Sequence, residues 1–321
     1  MSIKKIAIVT SGGDAPGMNS AVRAVARAAL SKGIQVLGVR RGYTGLINGD
    51  VFEMDLRSVS DIIHRGGTVL YTARSKEFSQ WEGVVKGAEK CRELGIEGVV
   101  VIGGDGSFRG ARDLTAAGIP CIGIPGTIDN DIACSDYTIG FDTAMNTAMQ
   151  AIDKIRDTAQ SHDRCNVVEV MGRHAGYIAL EVGIAVGATA ILVPEVKPDL
   201  DEIVERMIKA QQADKKHFII IVAEGIGHVE EIAKYLQEKT GIESRTTVLG
   251  HIQRGGSPTV RDRVVAGALG HRAVELLVEG KSNRVVVVKD NHIKDYDITE
   301  ALEMKKSLDM ELYQVAHDIS I

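Results

Sequence analysis

The chain has 321 residues, of which 44% are hydrophobic and 25% are charged, and its formal net charge is -5 at pH 7. This composition predicts a soluble globular protein of about two domains, and the negative charge argues against a nucleic-acid-binding surface. No apolar run approaches the roughly 18 residues that a membrane span needs. The four cysteines include no Cys-x-x-Cys pair. The sequence therefore indicates neither a zinc site nor a disulfide framework, and the reducing cytoplasm is the expected compartment.

Short β-branched runs alternate with helix-like stretches along the whole chain. Strands are predicted at 6–10, 99–102, 167–170, 218–223 and 285–288, and helices at 18–30, 82–94, 143–158 and 200–212. A strand without polar interruption is buried on both faces, and strands that alternate with helices are typical of parallel sheets covered by helices. The predicted fold class is therefore α/β.

Nearly every predicted strand runs into a polar turn that contains glycine. These turns are SGGD at 11–14, GGDG at 103–106, PGT at 125–127, MGRH at 171–174, EG at 224–225 and GHIQRGG at 250–256. In open α/β sheets ligands bind beyond the carboxyl ends of the strands, so the turns are predicted to converge on one cleft. Glycines allow a polyanion to approach the backbone, which makes the turn after 99–102 a predicted phosphate-binding site.

Each of these features also has an interpretation without a ligand. A Gly-Gly-Asp turn that closes a strand is commonly a tight connection, so either such turn alone leaves both interpretations open. Asp129 and Asp131 flank Asn130 and could provide acid-base or metal-binding chemistry, yet paired acids are more often solvated turn formers. His174 and His251 also fit hydrogen-bonded loop histidines.

Five arginines next to strand ends or turns favour the interpretation with a ligand. They are Arg74, Arg164, Arg173, Arg245 and Arg254. Guanidinium groups match the geometry of phosphate oxygens, so the set predicts a ligand with more than one phosphate. The glycines around Gly104 follow the order GxGxxxG, which does not match the dinucleotide fingerprint GxGxxG.

Six segments together resemble the bacterial ATP-dependent 6-phosphofructokinase family. They are SGGDAPGMN at 11–19, GGDGS at 103–107, PGTIDND at 125–131, MGRHAG at 171–176, VAEG at 222–225 and LGHIQRGG at 249–256. GGDGS is shared with NAD kinases and diacylglycerol kinases, whereas PGTIDND, MGRHAG and HIQRGG are specific to this family. The resemblance extends from the first strand to the last.

The resemblance implies two Rossmann-like three-layer αβα domains with mainly parallel sheets and an active site in the cleft between them. The larger, ATP-binding domain would comprise residues 1–140 with 253–303, and the smaller, sugar-phosphate-binding domain 141–252 with 304–321. The implied protein is a cytoplasmic, glycolytic homotetramer with no nucleic-acid or membrane partner. It would transfer the γ-phosphoryl group of ATP, with Mg²⁺ as cofactor, to the 1-hydroxyl of fructose 6-phosphate.

The resemblance also implies a role for individual residues. The nucleotide would contact Gly13, Arg74, Ser75, Gly104, Asp105, Gly106, Ser107 and Gly110, with Asp105 beside Mg²⁺. Catalysis would use Asp129 as the general base, with Thr127, Arg74 and Arg173. The sugar phosphate would contact Thr127, Asp129, Met171, Gly172, Arg173, Glu224, His251 and Arg254 of one subunit and Arg164 and Arg245 of its neighbour. Tyr43 would either flank the nucleotide or pack within its own loop.

Gly106 and Gly126 bear on the phosphoryl donor. Relatives that use pyrophosphate carry Asp and Lys at these places, where a side chain would crowd a nucleotide, so ATP is the expected donor. One departure is Ser75-Lys76 after Arg74, where the bacterial enzymes often have Cys-Pro. The alternatives are a pyrophosphate-dependent enzyme of the same fold, a nucleotide kinase like NAD kinase, and a non-catalytic regulatory subunit, which should lack the Asp129 carboxylate.

The family also has a second phosphate site between subunits, which binds the effectors ADP or phosphoenolpyruvate. The matching residues are Arg23, Arg27, Arg156, Gly187, Lys215 and His217. Arg23 and Arg27 also fit a solvated stripe on one helix face. Thr189 replaces the family's metal-binding glutamate, and Ala213 replaces an effector-binding arginine. Weaker or different regulation is therefore expected.

Overall fold

The structure, a computed structural model, describes residues 3–320 and divides them into two units. The first unit contains residues 3–128, Ile132–Thr143 and Arg254–Lys306, and the second contains Asp129–Asp131, Ala144–Gln253 and 307–320. The functional assignment of the two expected domains stays a prediction. These are the ATP-binding domain at 1–140 with 253–303 and the sugar-phosphate-binding domain at 141–252 with 304–321.

The elements alternate between strand and helix for most of the chain. The strands are β1 (Lys5–Thr10), β2 (Gln35–Val39), β3 (Val51–Met54), β4 (Gly98–Gly103), β5 (Cys121–Pro125), β6 (Cys165–Val170), β7 (Ala190–Leu192), β8 (Phe218–Ala223), β9 (Ser244–Val248), β10 (Arg284–Lys289) and β11 (His292–Asp297). The helices are α1 (Met18–Leu30), α2 (Gly42–Asn48), α3 (Trp81–Glu93), α4 (Asp105–Ala116), α5 (Phe141–Ser161), α6 (Tyr177–Ala185), α7 (Leu200–Gln212), α8 (Val229–Thr240), α9 (Val260–Val278), α10 (Ile298–Glu303) and α11 (Met310–Asp318). A 3₁₀ turn covers Gly250–Arg254.

The first unit is built on a seven-stranded sheet in the order β11-β10-β5-β4-β1-β2-β3. Its strands run parallel except β3 and β11, which pair antiparallel at the two edges. All six residues of β4 are buried, as expected of a central strand covered by helices on both faces. Because Thr10 pairs with Ile102 and Gly103 with Pro125, the turns after β1, β4 and β5 meet at one edge of the sheet.

The second unit is built on a four-stranded parallel sheet in the order β7-β8-β6-β9. Its β8, with the sequence FIIIVA, is buried throughout and packs with side chains of α7 and α8 such as Met207 and Leu236. Val170 pairs with Ala223, and Glu169 with Val248. The turns after β6, β8 and β9 therefore share the carboxyl edge of this sheet.

The predicted fold class, α/β with mainly parallel sheets, is confirmed. Every strand predicted from an apolar run lies within an observed strand, and the four predicted helices overlap α1, α3, α5 and α7. The strands β2 and β7 were not predicted, nor were the antiparallel edge strands β3 and β11, which lack the continuous apolar run of a central strand. Between residues 3 and 320, no helix combines the length and hydropathy that crossing a membrane requires.

A long segment without helix or strand, residues 55–80, is anchored by polar side chains of the first unit. Asn19 of α1 is 1% exposed; its Nδ2 donates to the carbonyls of Arg65 (3.0 Å) and Gly66 (3.2 Å), and its Oδ1 accepts from the Val69 amide (2.7 Å). Thr72 Oγ1 donates to the Gly12 carbonyl at 2.6 Å. These bonds replace the backbone ladder that the segment lacks.

Asn19→Leu tests this anchoring. The isosteric leucine would leave the Val69 amide and two carbonyls without their buried partner, which costs roughly 1–3 kcal/mol for an unsatisfied group. We expect the free energy of unfolding in urea to fall by at least that amount. Asn48→Leu, at the exposed end of α2, is the matched control. Equal stability of the two variants would show that Asn19 does not anchor the segment.

Candidate functional site

The turns after β1 and β4 approach each other closely in the first unit. Ser107 Oγ donates to the Ser11 carbonyl at 3.0 Å, so the start of α4 is tied to the turn after β1. A side chain at Gly103 would overlap both Ser11 and Ser107, which explains the glycine at the end of β4. The Ser107 hydroxyl therefore joins two backbone segments, and the turns form one glycine-lined surface.

The amino end of α4 opens onto this surface. Its N-cap, Gly104, is extended, and no side chain caps the helix. Asp105 and Gly106 in the first turn are exposed, and a Cβ added at Gly106 would meet no atom within 4 Å. Backbone amides at an uncapped helix start, together with the helix dipole, favour an anion such as a phosphate group.

Arg254 lies against the first of the glycine turns, within the first unit. Its Nη1 donates to the Asp14 carbonyl at 3.2 Å, and a Cβ at Gly13 would overlap the guanidinium group. A side chain at Gly13 would therefore displace the Arg254 guanidinium group. Arg254, which is expected to contact the sugar phosphate, thus lies beside Gly13, which is expected to contact the nucleotide.

Tyr43 packs in the core of the first unit. Its side chain is 5% exposed, its ring stacks on Phe78 with the centroids 4.1 Å apart, and its hydroxyl donates to the Ser107 carbonyl at 2.6 Å. A Cβ at Gly110 would lie 2.7 Å from this ring. Burial raises the pKa of Tyr43 well above its ordinary value. Of the two interpretations of Tyr43, packing within the fold is the one observed, and Gly110 accommodates the ring.

Three further expected site residues, Arg74, Ser75 and Thr127, differ from one another in exposure. Arg74 is exposed and lies in the segment without regular structure, followed by Ser75, whose Oγ accepts from the Phe78 amide at 3.1 Å. Thr127 is 8% exposed, and its carbonyl accepts from Thr138 Oγ1 at 2.7 Å. The guanidinium of Arg74 is thus accessible, whereas Thr127 is fixed by the fold.

The second unit contains a buried carboxylate paired with an arginine. Asp129 is 1% exposed, and its Oδ2 lies 3.2 Å from Nε of Arg173, whose side chain is 49% exposed. A buried carboxylate needs such a partner because removing its charge from water is costly. Arg173 is therefore the cationic partner of this buried carboxylate.

The turn that follows β6 determines the position of Arg173. Gly172 has φ 140, and a Cβ there would lie 2.6 Å from the Ala175 carbonyl; Arg173 itself is left-handed at φ 54. Side chains accept from two amides of the turn: Glu224 Oε1 from Arg173 (2.5 Å) and Gln253 Oε1 from Met171 (2.9 Å). Backbone conformations that residues with a side chain rarely adopt persist only when the surrounding structure holds them.

Arg164 and Arg245 lie together at the other end of the same sheet. Arg164 Nε and Arg245 Nη2 contact the two oxygens of Glu243 at 2.8 and 2.5 Å. The hydrogen bond from Arg164, followed by that from Arg245, lowers the pKa of Glu243. These arginines lie at the amino ends of β6 and β9, whereas Arg173 follows the carboxyl end of β6, about 20 Å away for a six-residue strand. The strand thus separates them from Arg173, the partner of Asp129.

The expected effector residues fall in both units. Arg23 and Arg27 belong to α1 of the first unit, and Arg27 is exposed. Arg156, Gly187, Lys215 and His217 belong to the second unit.

The basic residues of the second unit form a cluster near Gly187. Arg156 Nη2 donates to the Val186 carbonyl. Burial, followed by the nearby charges of Arg156 and Arg206, lowers the pKa of Lys215. Thr189 is 3% exposed, and its amide donates to the Ile219 carbonyl at 2.7 Å, so its side chain is enclosed by the fold.

The described residues do not form a metal cage by themselves. From 3 to 320 there is no group of three or more His, Cys, Asp and Glu side chains placed to hold an ion. Mg²⁺ usually binds through one or two carboxylates together with substrate phosphates. The exposed Asp105 carboxylate, at the uncapped start of α4, fits that kind of site.

The glycine turns, the uncapped helix start and the buried Asp129–Arg173 pair define an α/β protein equipped to bind phosphate groups. A family model described as phosphofructokinase matches residues 5–277. The ATP-dependent 6-phosphofructokinase of Bacillus cereus (strain B4264) is 56% identical over 319 residues, covering 99% of this chain and 100% of that protein. That of Clostridium tetani (strain Massachusetts / E88) is 57% identical over 318 residues, with the same coverage. The chain belongs to the phosphofructokinase family.

A solved structure agrees with this result. The phosphofructokinase of Saccharomyces cerevisiae superimposes with a TM-score of 0.90 at 34% identity, over 99% of this chain and 48% of the yeast chain. The present chain thus spans about half the length of the yeast chain. The resemblance inferred from the six sequence segments is confirmed at the level of the family.

Sequence reasoning missed three residues near the expected site. Gln253 lies inside the quoted LGHIQRGG segment, and the signal available was an uncharged polar residue between His251 and Arg254. Glu243 precedes Arg245 by two residues, but its contact with Arg164 spans 79 positions. Arg206 lies on α7, where its charge resembled that of any solvated helix face.

Proposed function

We propose that this chain is an ATP-dependent 6-phosphofructokinase that transfers the γ-phosphoryl group of ATP to the 1-hydroxyl of fructose 6-phosphate. The curated relatives that cover the whole chain at 56–57% identity have this name. The observation that carries the chemistry is the buried Asp129 carboxylate, held by Arg173 at the carboxyl edge of a parallel sheet. The products are fructose 1,6-bisphosphate and ADP, so the reaction belongs to glycolysis.

The nucleotide is assigned to the first unit. Its phosphates would bind the turns at Gly13 and Gly104–Ser107, where α4 begins without a side-chain cap. Gly106 has open space beside it, and the exposed Arg74 can reach a negatively charged group. Asp105 is the residue proposed to hold Mg²⁺, and the ion would supply positive charge that offsets the negative charge of the phosphates. Gly110, Ser75 and Ser107 complete the proposed nucleotide set.

The acceptor hydroxyl is assigned to Asp129. The carboxylate accepts the proton of the 1-hydroxyl as the new bond to the γ-phosphorus forms and the bond to the β-phosphate oxygen breaks, releasing ADP. Arg173, half-exposed and paired through Nε, orients the carboxylate and stabilises charge on the transferred group, with Arg74. Thr127, Met171, Gly172, Glu224, His251 and Arg254 are the proposed contacts of the sugar phosphate.

Replacing Asp129 by serine tests the base. A positioned general base contributes roughly 10²- to 10⁴-fold, so kcat should fall by that factor while the KM for fructose 6-phosphate changes little. A coupled assay of fructose 1,6-bisphosphate formation measures both constants. Asp153→Ser, at an exposed position of α5, is the control and should retain wild-type rates. An Asp129→Ser variant with nearly wild-type kcat would remove Asp129 from this role.

The donor is proposed to be ATP rather than pyrophosphate. A Cβ at Gly126 would come within 3.1 Å of Ile102 and 3.2 Å of Met18, so a larger side chain there requires these neighbours to move. Gly106 differs because a side chain there meets no protein atom within 4 Å. A variant at Gly106 therefore changes the space for the ligand with little effect on the fold.

We expect turnover with ATP and Mg²⁺ and none with pyrophosphate. Gly106→Asp should keep the wild-type melting temperature and raise the KM for ATP about tenfold or more, equivalent to about 1.4 kcal/mol. Steady-state rates at varied ATP, with and without excess chelator, provide the measurement. Equal rates with the two donors would contradict the donor assignment, and full activity in chelator would contradict the role of Asp105.

The protein is further proposed to be a homotetramer in which Arg164 and Arg245 serve the site of a neighbouring subunit. Their position at the amino ends of β6 and β9 supports this, because a strand length separates them from Arg173, the partner of Asp129. The two guanidinium groups share the Glu243 carboxylate, an anionic oxygen group, which supports the proposed phosphate contact.

Hybrid oligomers test whether Arg164 and Arg245 contribute to the active site of a neighbouring subunit. Arg164→Ser and Arg245→Ser should each raise the KM for fructose 6-phosphate and leave that for ATP unchanged, since a lost guanidinium removes phosphate binding. Mixing the double variant with Asp129→Ser after dissociation should restore part of the activity. Subunit exchange is verified by mass spectrometry of the native oligomer. Exchanged hybrids without recovery would place the whole site in one chain.

An effector site for ADP or phosphoenolpyruvate is proposed at Arg23, Arg27, Arg156, Gly187, Lys215 and His217. The basic cluster of Arg156, Lys215 and Arg206 supports an anionic ligand. Thr189 and Ala213 lack the charges that the family's glutamate and arginine supply, so the response to effectors is proposed to be weak. A cytoplasmic location is proposed as well, and the four free, buried cysteines fit a reducing compartment.

A further inference from the structure

Gln253 connects the 3₁₀ turn of the second unit to the turn after β6. It is 0% exposed, and it is the one residue described as buried within Gly250–Arg254. Its Oε1 accepts from the Met171 amide at 2.9 Å, a contact between residues 82 positions apart. Met171 immediately precedes Gly172 and Arg173, the residues with positive φ.

Among the described residues, the side-chain amide of Gln253 makes a hydrogen bond through its oxygen but not through its nitrogen. Within the described range 3–320, its Nε2 is buried and has no hydrogen-bond partner. A buried amide that is only half satisfied stabilises a fold less than an apolar side chain of similar size. Packing alone therefore favours methionine or leucine here, and the single bond that the glutamine makes is the one to Met171.

That bond holds one end of the strained turn, and Glu224 holds the other. Glu224 accepts from the Arg173 amide at 2.5 Å, and Arg173 in turn contacts the buried Asp129 at 3.2 Å. A turn with two consecutive left-handed residues keeps its geometry only where its surroundings define it. The hydrogen bond from the Met171 amide thus fixes the backbone immediately before Gly172. The position of Gln253, which accepts this bond, therefore helps to determine the position of Arg173.

We propose that Gln253 is a positioning residue for phosphoryl transfer: by accepting from the Met171 amide it fixes the turn 171–173 and so places the Arg173 guanidinium against Asp129. This inference rests on the proposed function. Gln253 touches neither substrate nor nucleotide in this role. Its effect falls on kcat, because a displacement of about 1 Å in a catalytic group can lower the rate about 100-fold.

The test compares Gln253→Met, which keeps the size and removes the acceptor, with Gln253→Glu, which keeps the acceptor oxygen. Gln253→Met should lower kcat about 10- to 100-fold and leave the KM for ATP unchanged, while the unsatisfied Met171 amide lowers the melting temperature without preventing folding. Hydrogen exchange should show a less protected amide at Met171. Gln253→Glu should recover most of kcat at mildly acidic pH, where burial keeps its carboxyl neutral. Gln35→Met, at the exposed start of β2, is the matched control.

The outcomes separate this proposal from the function on which it rests. An inactive wild-type protein would overturn the proposed function and this assignment with it. An active wild type with undiminished kcat in Gln253→Met would overturn the assignment alone. If Gln253→Met fails to fold, Gln253→Glu decides: recovery at acidic pH supports the acceptor role, and a pH-independent loss of kcat overturns it.

Discussion

The contact between Asp129 and Arg173 is the interaction on which the rest of the proposed site depends. A carboxylate that is 1% exposed has lost its hydration, and the arginine that offsets this loss lies on a turn with positive φ. The turn is held by Glu224 and Gln253, which come from two other strand ends of the sheet. The parallel order β7-β8-β6-β9 brings these ends to one edge. The sheet topology thus makes a costly buried charge possible.

In the first unit the constraint is different: glycines are found where a neighbouring side chain or backbone segment comes too close for a Cβ atom. Gly13 faces Arg254, Gly103 faces Ser11 and Ser107, and Gly110 faces the ring of Tyr43. Gly106 is the exception because it faces open space. Gly103 and Gly110 are therefore explained by the fold itself, whereas the fold leaves room for a side chain at Gly106.

Apolar runs were sufficient to predict β1, β4, β6, β8 and β10, but not the interior strand β2. Strands such as β4 and β8 are buried on both faces, so their sequences carry the signal directly. The edge strand β11, HIKDYD, carries no such signal because none of its residues is buried. Long-range side-chain contacts were beyond sequence reasoning: Gln253 with Met171, and Arg164 with Glu243, depend on how the strands are ordered. The opposite positions of Arg164 and Arg173 likewise follow from strand direction.

A double-mutant cycle on kcat tests most directly whether the Asp129–Arg173 pair acts as one catalytic unit. The cycle compares wild type, Asp129→Ser, Arg173→Ser and the double variant at saturating ATP and fructose 6-phosphate. Residues that act as a unit are strongly non-additive. The account predicts that the double variant loses about as much kcat as the more impaired single variant. A loss equal to the product of the two single losses would mean that Asp129 and Arg173 act independently, and would contradict it.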